Sequence, residues 1–154
     1  MNKFSILLLD DIPENIYSLK LLIEENFDIN IFTAFKAQEA IEIVMNNPID
    51  LILTDVQMPD IDGFQFAQYL KDIESTKDIP VIFLTVLDET HDIERGFRLG
   101  GVDYVTKPFE PSVLKARVKT HCELSNSKKE LKHFNKELEA LVVARTAELE
   151  RLNA

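Results

Sequence analysis

Four short apolar runs in this chain each end on a side chain able to carry charge or donate a hydrogen bond. Asp55 closes the run Asp50-Leu51-Ile52-Leu53-Thr54 and is followed by Met58-Pro59 and Gly63, so a carboxylate stands where a buried strand breaks into a loop. Ile6-Leu7-Leu8-Leu9 runs into Asp10-Asp11, Val81-Ile82-Phe83-Leu84 into Thr85, and Val102-Asp103-Tyr104-Val105-Thr106 into Lys107-Pro108. If these runs are parallel strands, every one of these groups lies at a carboxyl end, the edge where open α/β sheets bind ligands.

Three carboxylates meeting in one crevice repel one another and stay ionised only beside a cation or by sharing a proton. With no His or Cys in these motifs, the available ligands are all oxygens, which selects a hard ion: Mg²⁺ keeping several waters, with Mn²⁺ as a substitute. Once that ion and the Lys107 ammonium neutralise phosphate oxygens, Asp55 can attack phosphorus in line to give an aspartyl phosphate, with the Thr85 hydroxyl donating to a phosphate oxygen. Taken singly, each residue has a plainer role: Asp10 and Asp11 as helix caps, Asp55 as a turn residue before Pro59, Thr85 as a β-former and Lys107 as a solvated charge. Their joint placement at one sheet edge favours the chemical reading.

The elements that must position these groups are visible in the pattern. Strand-like runs recur near 4–9, 29–35, 50–55, 79–85 and 102–106, and helix-compatible segments lie near 14–26, 37–46, 64–73, 89–99 and from 112 onward. That alternation predicts a doubly wound α/β domain, a five-stranded parallel sheet with right-handed crossovers and helices on both faces. Pro13, Pro48, Pro80 and Gly100-Gly101 fall at the element boundaries this scheme requires.

A chain of 154 residues with 45% hydrophobic content suits one domain with something appended. Its single cysteine, Cys122, leaves no internal disulfide and fits a reducing, cytoplasmic setting. There is no apolar stretch of membrane-spanning length and no signal-peptide pattern, so membrane insertion is not expected. The net charge of −10 argues against direct nucleic-acid binding. All of that excess lies before position 123: residues 123–154 carry six Lys/Arg and six Asp/Glu, against 11 basic and 21 acidic residues before them.

The balanced tail has its own pattern. The 43 residues after Pro111 contain neither glycine nor proline, which predicts one helix of about 65 Å at 1.5 Å per residue. Leu124, Leu131 and Leu138 recur at seven-residue spacing, flanked by Phe134 and Leu141; the row then meets Arg145 before Leu152, while Val142 and Leu149 start a row shifted by one. This predicts a coiled-coil seam with a stutter, and a parallel homodimer rather than a helix folded back on its own domain.

Residues 4 to about 121 resemble the receiver domain of bacterial two-component response regulators. The resemblance is carried by Asp10-Asp11, Asp55 with Met58-Pro59 and Gly63, Thr85, and Lys107-Pro108-Phe109, in that order. It implies a flavodoxin-like strand order 2-1-3-4-5 and, taken with the heptad pattern of the tail, divides the chain into a receiver over 1–122 and a helical dimerisation segment over 123–154. It implies further that Asp55 takes a phosphoryl group from a sensor histidine kinase or a phosphotransfer protein. Mg²⁺ would be held by Asp11, Asp55 and the backbone carbonyl of Gln57, with Asp10 acting mostly through water. Thr85 and Lys107 would contact the phosphate, Lys107-Pro108 would be a cis peptide, and Tyr104 would be an aromatic switch. The family usually has a small residue after Thr85; here Val86 stands there, and with Gln57 and Leu87 it is expected to tune the lifetime of the phosphoryl group. The stretch from Ala144 to Asn153 resembles signalling helices that join receivers to cyclase, phosphodiesterase or kinase domains, so an output domain beyond Ala154 is expected.

Two other readings fit less well. A haloacid-dehalogenase-like phosphatase would need a second acid two residues after the nucleophile, where Gln57 stands, and a dinucleotide-binding module would need a Gly-x-Gly-x-x-Gly turn that is missing after the first run.

Overall fold

Central strands of a parallel sheet are covered on both faces and therefore read as unbroken apolar runs. The strands β1 (Ser5–Leu9) and β3 (Leu51–Asp55) meet that condition, with every residue buried. The computed structural model describes residues 3–86, 103–107 and 110–152. Within them β2 (Asn30–Ala34), β4 (Val81–Val86) and β5 (Asp103–Lys107) complete a five-stranded sheet in the order β2-β1-β3-β4-β5. All four pairings are parallel. This is the doubly wound, flavodoxin-like order expected from the sequence.

Among the described residues, three helices connect the strands: α1 (Pro13–Asn26), α2 (Ala37–Asn46) and α3 (Gly63–Lys71). Side chains on a strand alternate between faces, and the core divides accordingly. Leu7, Leu9, Ile52, Val81 and Phe83 share one cluster with Ala40 and Val44 of α2 and Phe64, Ala67 and Leu70 of α3. The rings of Phe64 and Phe83 lie 4.8 Å apart at 52°. The intervening residues Ile6, Leu8, Leu51 and Leu53 are equally buried but lie outside that cluster, as do Ile16, Leu19 and Ile23 of α1.

The last helix, α4 (Pro111–Leu152), is unbroken over 42 residues, or about 63 Å at 1.5 Å per residue. Two compact units divide between Lys119 and Thr120. In the first, α4 contributes the fully buried Leu114 and Val118. In the second, Leu124, Leu131, Phe134, Leu138, Leu141, Val142, Val143, Leu149 and Leu152 are all exposed, from 44% to 75%. No helix among the described residues is long and apolar enough to cross a membrane. The helix expected near 89–99, Gly100-Gly101, and the positions of Leu87 and Pro108 lie outside the described residues.

Candidate functional site

Asp10 continues β1 past its last paired residue, its backbone N–H donating to the carbonyl of Ala34 at 3.2 Å. Its side chain is completely buried. One carboxylate oxygen accepts from the Ile12 N–H at 3.0 Å and the other from the Asn15 amide at 3.1 Å. Neither Asp10 nor Asp11 caps α1: the N-cap is Ile12, with no side-chain capping bond and Pro13 opening the helix. The capping alternative for these two residues is thereby set aside.

Asp55 is the final residue of β3 and is 6% exposed. Its position is fixed by the loop behind it. The Val56 N–H donates to Leu84 on the neighbouring strand at 3.2 Å, and the Gly63 N–H donates back to Val56 at 2.9 Å. The start of α3 therefore folds directly onto the strand end, and a Cβ at Gly63 would stand 2.3 Å from the Asp55 carbonyl oxygen. Only glycine fits that approach. Asp60 supplies the turn with φ 67°, and Asp62 and Gln65 close it with a reciprocal capping box at 2.8 and 2.9 Å.

The strand ends bring one carboxylate oxygen each from Asp10, Asp11 and Asp55 within 4.8 Å of one another, with Asp11 half-buried. Lys107, last residue of β5, reaches across β4 to meet two of them: its Nζ lies 3.1 Å from Asp55 Oδ1 and 3.5 Å from Asp10 Oδ2. Burial pushes the Asp55 carboxyl above the usual carboxylate range; Asp10 adds to that push, while Lys107 and the Gln57 N–H at 3.4 Å oppose it. Among the described residues one ammonium meets this cluster of three carboxylates, which leaves it short of positive charge. An all-oxygen donor set with that deficit fits a hard divalent cation.

Thr85 is buried on β4, one residue beyond Leu84, the Cα partner of Asp55. Tyr104 is the partner of Phe83 on β5 and packs, partly buried, against the α2 and α3 side of the core. Gln57 is exposed on the loop after β3. Val86 ends β4, and its side chain lies outside what is described. Two supporting residues escaped the sequence reading. Asn15 sits five positions past Asp10, where one turn of helix returns its amide to the carboxylate. Thr54, fully buried, donates its hydroxyl to the Asp55 carbonyl at 3.0 Å. The spacing from Asp10 was the only available sign of the first, and nothing in the pattern distinguished the second from a β-forming threonine.

The structure thus has a parallel five-stranded sheet with an acidic cluster and a lysine at its carboxyl edge, and the first strand is not followed by the glycine-rich turn of a dinucleotide site. Residues 6–119 match the model of the response regulator receiver domain, and the chain belongs to that family. It is 38% identical over 152 residues to a probable cyclic di-GMP phosphodiesterase of Vibrio cholerae, covering 99% of this chain and 34% of the relative. It is 36% identical over 130 residues to the transcriptional regulatory protein YvrH of Bacillus subtilis, covering 84% of this chain and 54% of the relative. The chain thus spans between a third and just over half the length of these relatives. Among solved structures, the receiver domain of a Francisella response regulator superposes with a TM-score of 0.72 at 32% identity, covering 80% of this chain and 99% of that one. The chain is a regulatory receiver domain of two-component signalling, and nothing supports the haloacid-dehalogenase alternative.

Proposed function

We propose that Asp55 is the phosphoryl acceptor, taking the group from a histidine kinase or a phosphotransfer protein. The observation that carries this reading is the convergence of Asp10, Asp11 and Asp55 within 4.8 Å, with the Lys107 ammonium 3.1 Å from Asp55. An Asp55 oxygen forms the bond to phosphorus while the bond from phosphorus to the donor breaks in line. Lys107 stabilises charge on the phosphate oxygens and aims the acceptor, a lysine placement that a cis Lys107-Pro108 peptide would assist. Thr85 donates its hydroxyl to a phosphate oxygen.

Asp11, Asp55 and the Gln57 backbone carbonyl would hold Mg²⁺, or Mn²⁺ in its place, with Asp10 acting through water. Such an ion, when bound, supplies the positive charge that the cluster lacks. Asp10 is already committed to Ile12, Asn15 and Lys107, which suits a supporting role. Val86, Leu87 and Gln57 govern access to the phosphoryl group and so its lifetime.

Movement of Thr85 toward the phosphoryl group opens space for the ring of Tyr104, and the change passes through β5 into α4 as a two-state packing switch. Functionally, residues 1–122 serve as receiver and 123–154 as signalling helix, a division slightly beyond the compact boundary at Lys119. In this reading the helix pairs with a second copy through Leu124, Leu131, Phe134, Leu138, Leu141, Leu149 and Leu152, and in the cytoplasm passes the signal to an output domain following Ala154. The greater length of the relatives supports such a domain. Incubation with acetyl phosphate and Mg²⁺, followed by intact mass measurement, is expected to show one added phosphoryl group on the wild type and none on Asp55→Asn. A wild type that stays unmodified would overturn the acceptor role.

A further inference from the structure

The exposed apolar side chains beyond Thr120 define two seams rather than one. Leu124, Leu131, Leu138, Arg145 and Leu152 form a single row at seven-residue spacing. A two-stranded coiled coil needs a companion row three or four residues further on, and at about 100° per residue those two choices flank the first row on opposite sides. The three-on row reads Ser127, Phe134, Leu141, Glu148; the four-on row reads Lys128, Asn135, Val142, Leu149.

Each companion row is apolar over only part of the helix. Phe134 and Leu141, 57% and 54% exposed, favour the first seam, and Val142 and Leu149, 61% and 60% exposed, favour the second. Extending the first seam to the end of the helix buries Glu148; extending the second back to its start buries Lys128 and Asn135. Burying such groups without partners offsets the gain from the apolar layers. Neither seam wins along the full length, and the two compete across the junction of Leu141 and Val142.

Charge identifies the occupant and its direction. Glu123, Glu130 and Glu137 line one flank of the leucine row, so antiparallel pairing of two copies would set these three carboxylates against the same three. Parallel pairing instead turns Glu123 toward Lys128 of the second copy, by the usual cross-strand pairing of flanking positions. The root of the helix is tied to the strand that carries Lys107, at the end away from the acidic cluster. Arg117 of α4 pairs at 3.1 Å with Asp103, first residue of the strand that ends in Lys107. No glycine or proline interrupts the helix between Arg117 and Leu152.

We propose that two copies pair in parallel along the leucine row and alternate between two rotational registers, one closed by Phe134 and Leu141 and the other by Val142 and Leu149. Phosphorylation of Asp55 shifts the balance between them. This rests on the acceptor and dimer reading above.

The test uses the full chain carrying Cys122→Ser and, one at a time, Phe134→Cys, Leu138→Cys, Val142→Cys or Val143→Cys. Each is oxidised before and after treatment with acetyl phosphate and Mg²⁺, with intact mass recording phosphorylation in the same samples. Leu138→Cys, on the shared row, is expected to cross-link in both states, and Val143→Cys, off both seams, in neither. Phe134→Cys and Val142→Cys both cross-link at rest and change severalfold in opposite directions on phosphorylation, a change abolished by adding Asp55→Asn. A fixed Phe134-to-Val142 ratio in samples whose mass shows phosphorylation overturns the register switch, and absence of any Leu138 cross-link overturns the pairing itself. An unchanged mass removes the acceptor reading instead, while cross-linking of both Phe134→Cys and Val142→Cys at rest still supports the two registers.

Discussion

The α/β unit and the helical unit spend their apolar residues in opposite ways. Before Lys119, the large aliphatic side chains of β1 and β3 are hidden to the last atom: Leu7, Leu8, Leu9, Ile52 and Leu53 are all at 0% exposure. After Thr120, residues of the same kinds stand in solvent along one helix. A closed core makes the first unit stable by itself, whereas an exposed heptad row stabilises a helix only when something covers it. The first unit can therefore hold crowded carboxylates in place, and in the proposed function the second is the part that responds to them.

The largest effect is expected from a change within the α/β unit. Gly63→Ala places a methyl group against the Asp55 carbonyl, an overpacking expected to cost about 3 kcal/mol and to be read as a lowered urea midpoint. The same change should also disturb the acceptor, because the loop after β3 is what positions it. Leu138→Asp attacks the other unit. It is expected to weaken dimerisation about a hundredfold, or ~2.7 kcal/mol, in sedimentation, while the unfolding of the α/β unit shifts by no more than about 0.5 kcal/mol. Equal loss in both assays would erase the distinction between the units.

A subtler effect comes from Asp55 itself. Its folded pKa is raised by burial, so the folded chain holds this proton more tightly than the unfolded one, and stability falls as pH rises from the unfolded value near 3.8 through the raised folded value. Asp55→Asn removes that penalty. In metal-free buffer the variant is expected to be more stable near neutral pH, with its advantage vanishing at low pH. Adding Mg²⁺ should stabilise the wild type more than the variant. An advantage that shrinks as pH rises would show that burial does not dominate at this carboxylate. The smallest effect is expected at Val86, where Val86→Ala should shorten the phosphoryl lifetime by about twofold to threefold, less than 1 kcal/mol in barrier; an unchanged lifetime removes Val86 as a gate.

Much of this organisation was legible in the sequence because buried parallel strands write themselves as continuous apolar runs. The strand ends at Asp10, Asp55, Thr85 and Lys107 could be placed from those runs alone, within a residue or so of the observed bounds; β4, for example, continues through Val86 and β5 through Lys107. What stayed hidden depends on return geometry. Ile12 rather than an aspartate occupies the N-cap of α1 because Asp10 is drawn inward to Asn15 and Lys107. The tight backing of Asp55 by Gly63 likewise arises from how α3 folds onto β3, a contact that no local pattern announces.

Which residue receives the phosphoryl group is read most directly by site mapping. After acetyl phosphate and Mg²⁺ treatment, borohydride reduction converts an aspartyl phosphate to homoserine, which peptide mass spectrometry locates. Homoserine at position 55 and nowhere else is the predicted result. Homoserine at position 10 or 11, with Asp55 unaltered, would rule out Asp55 as the acceptor.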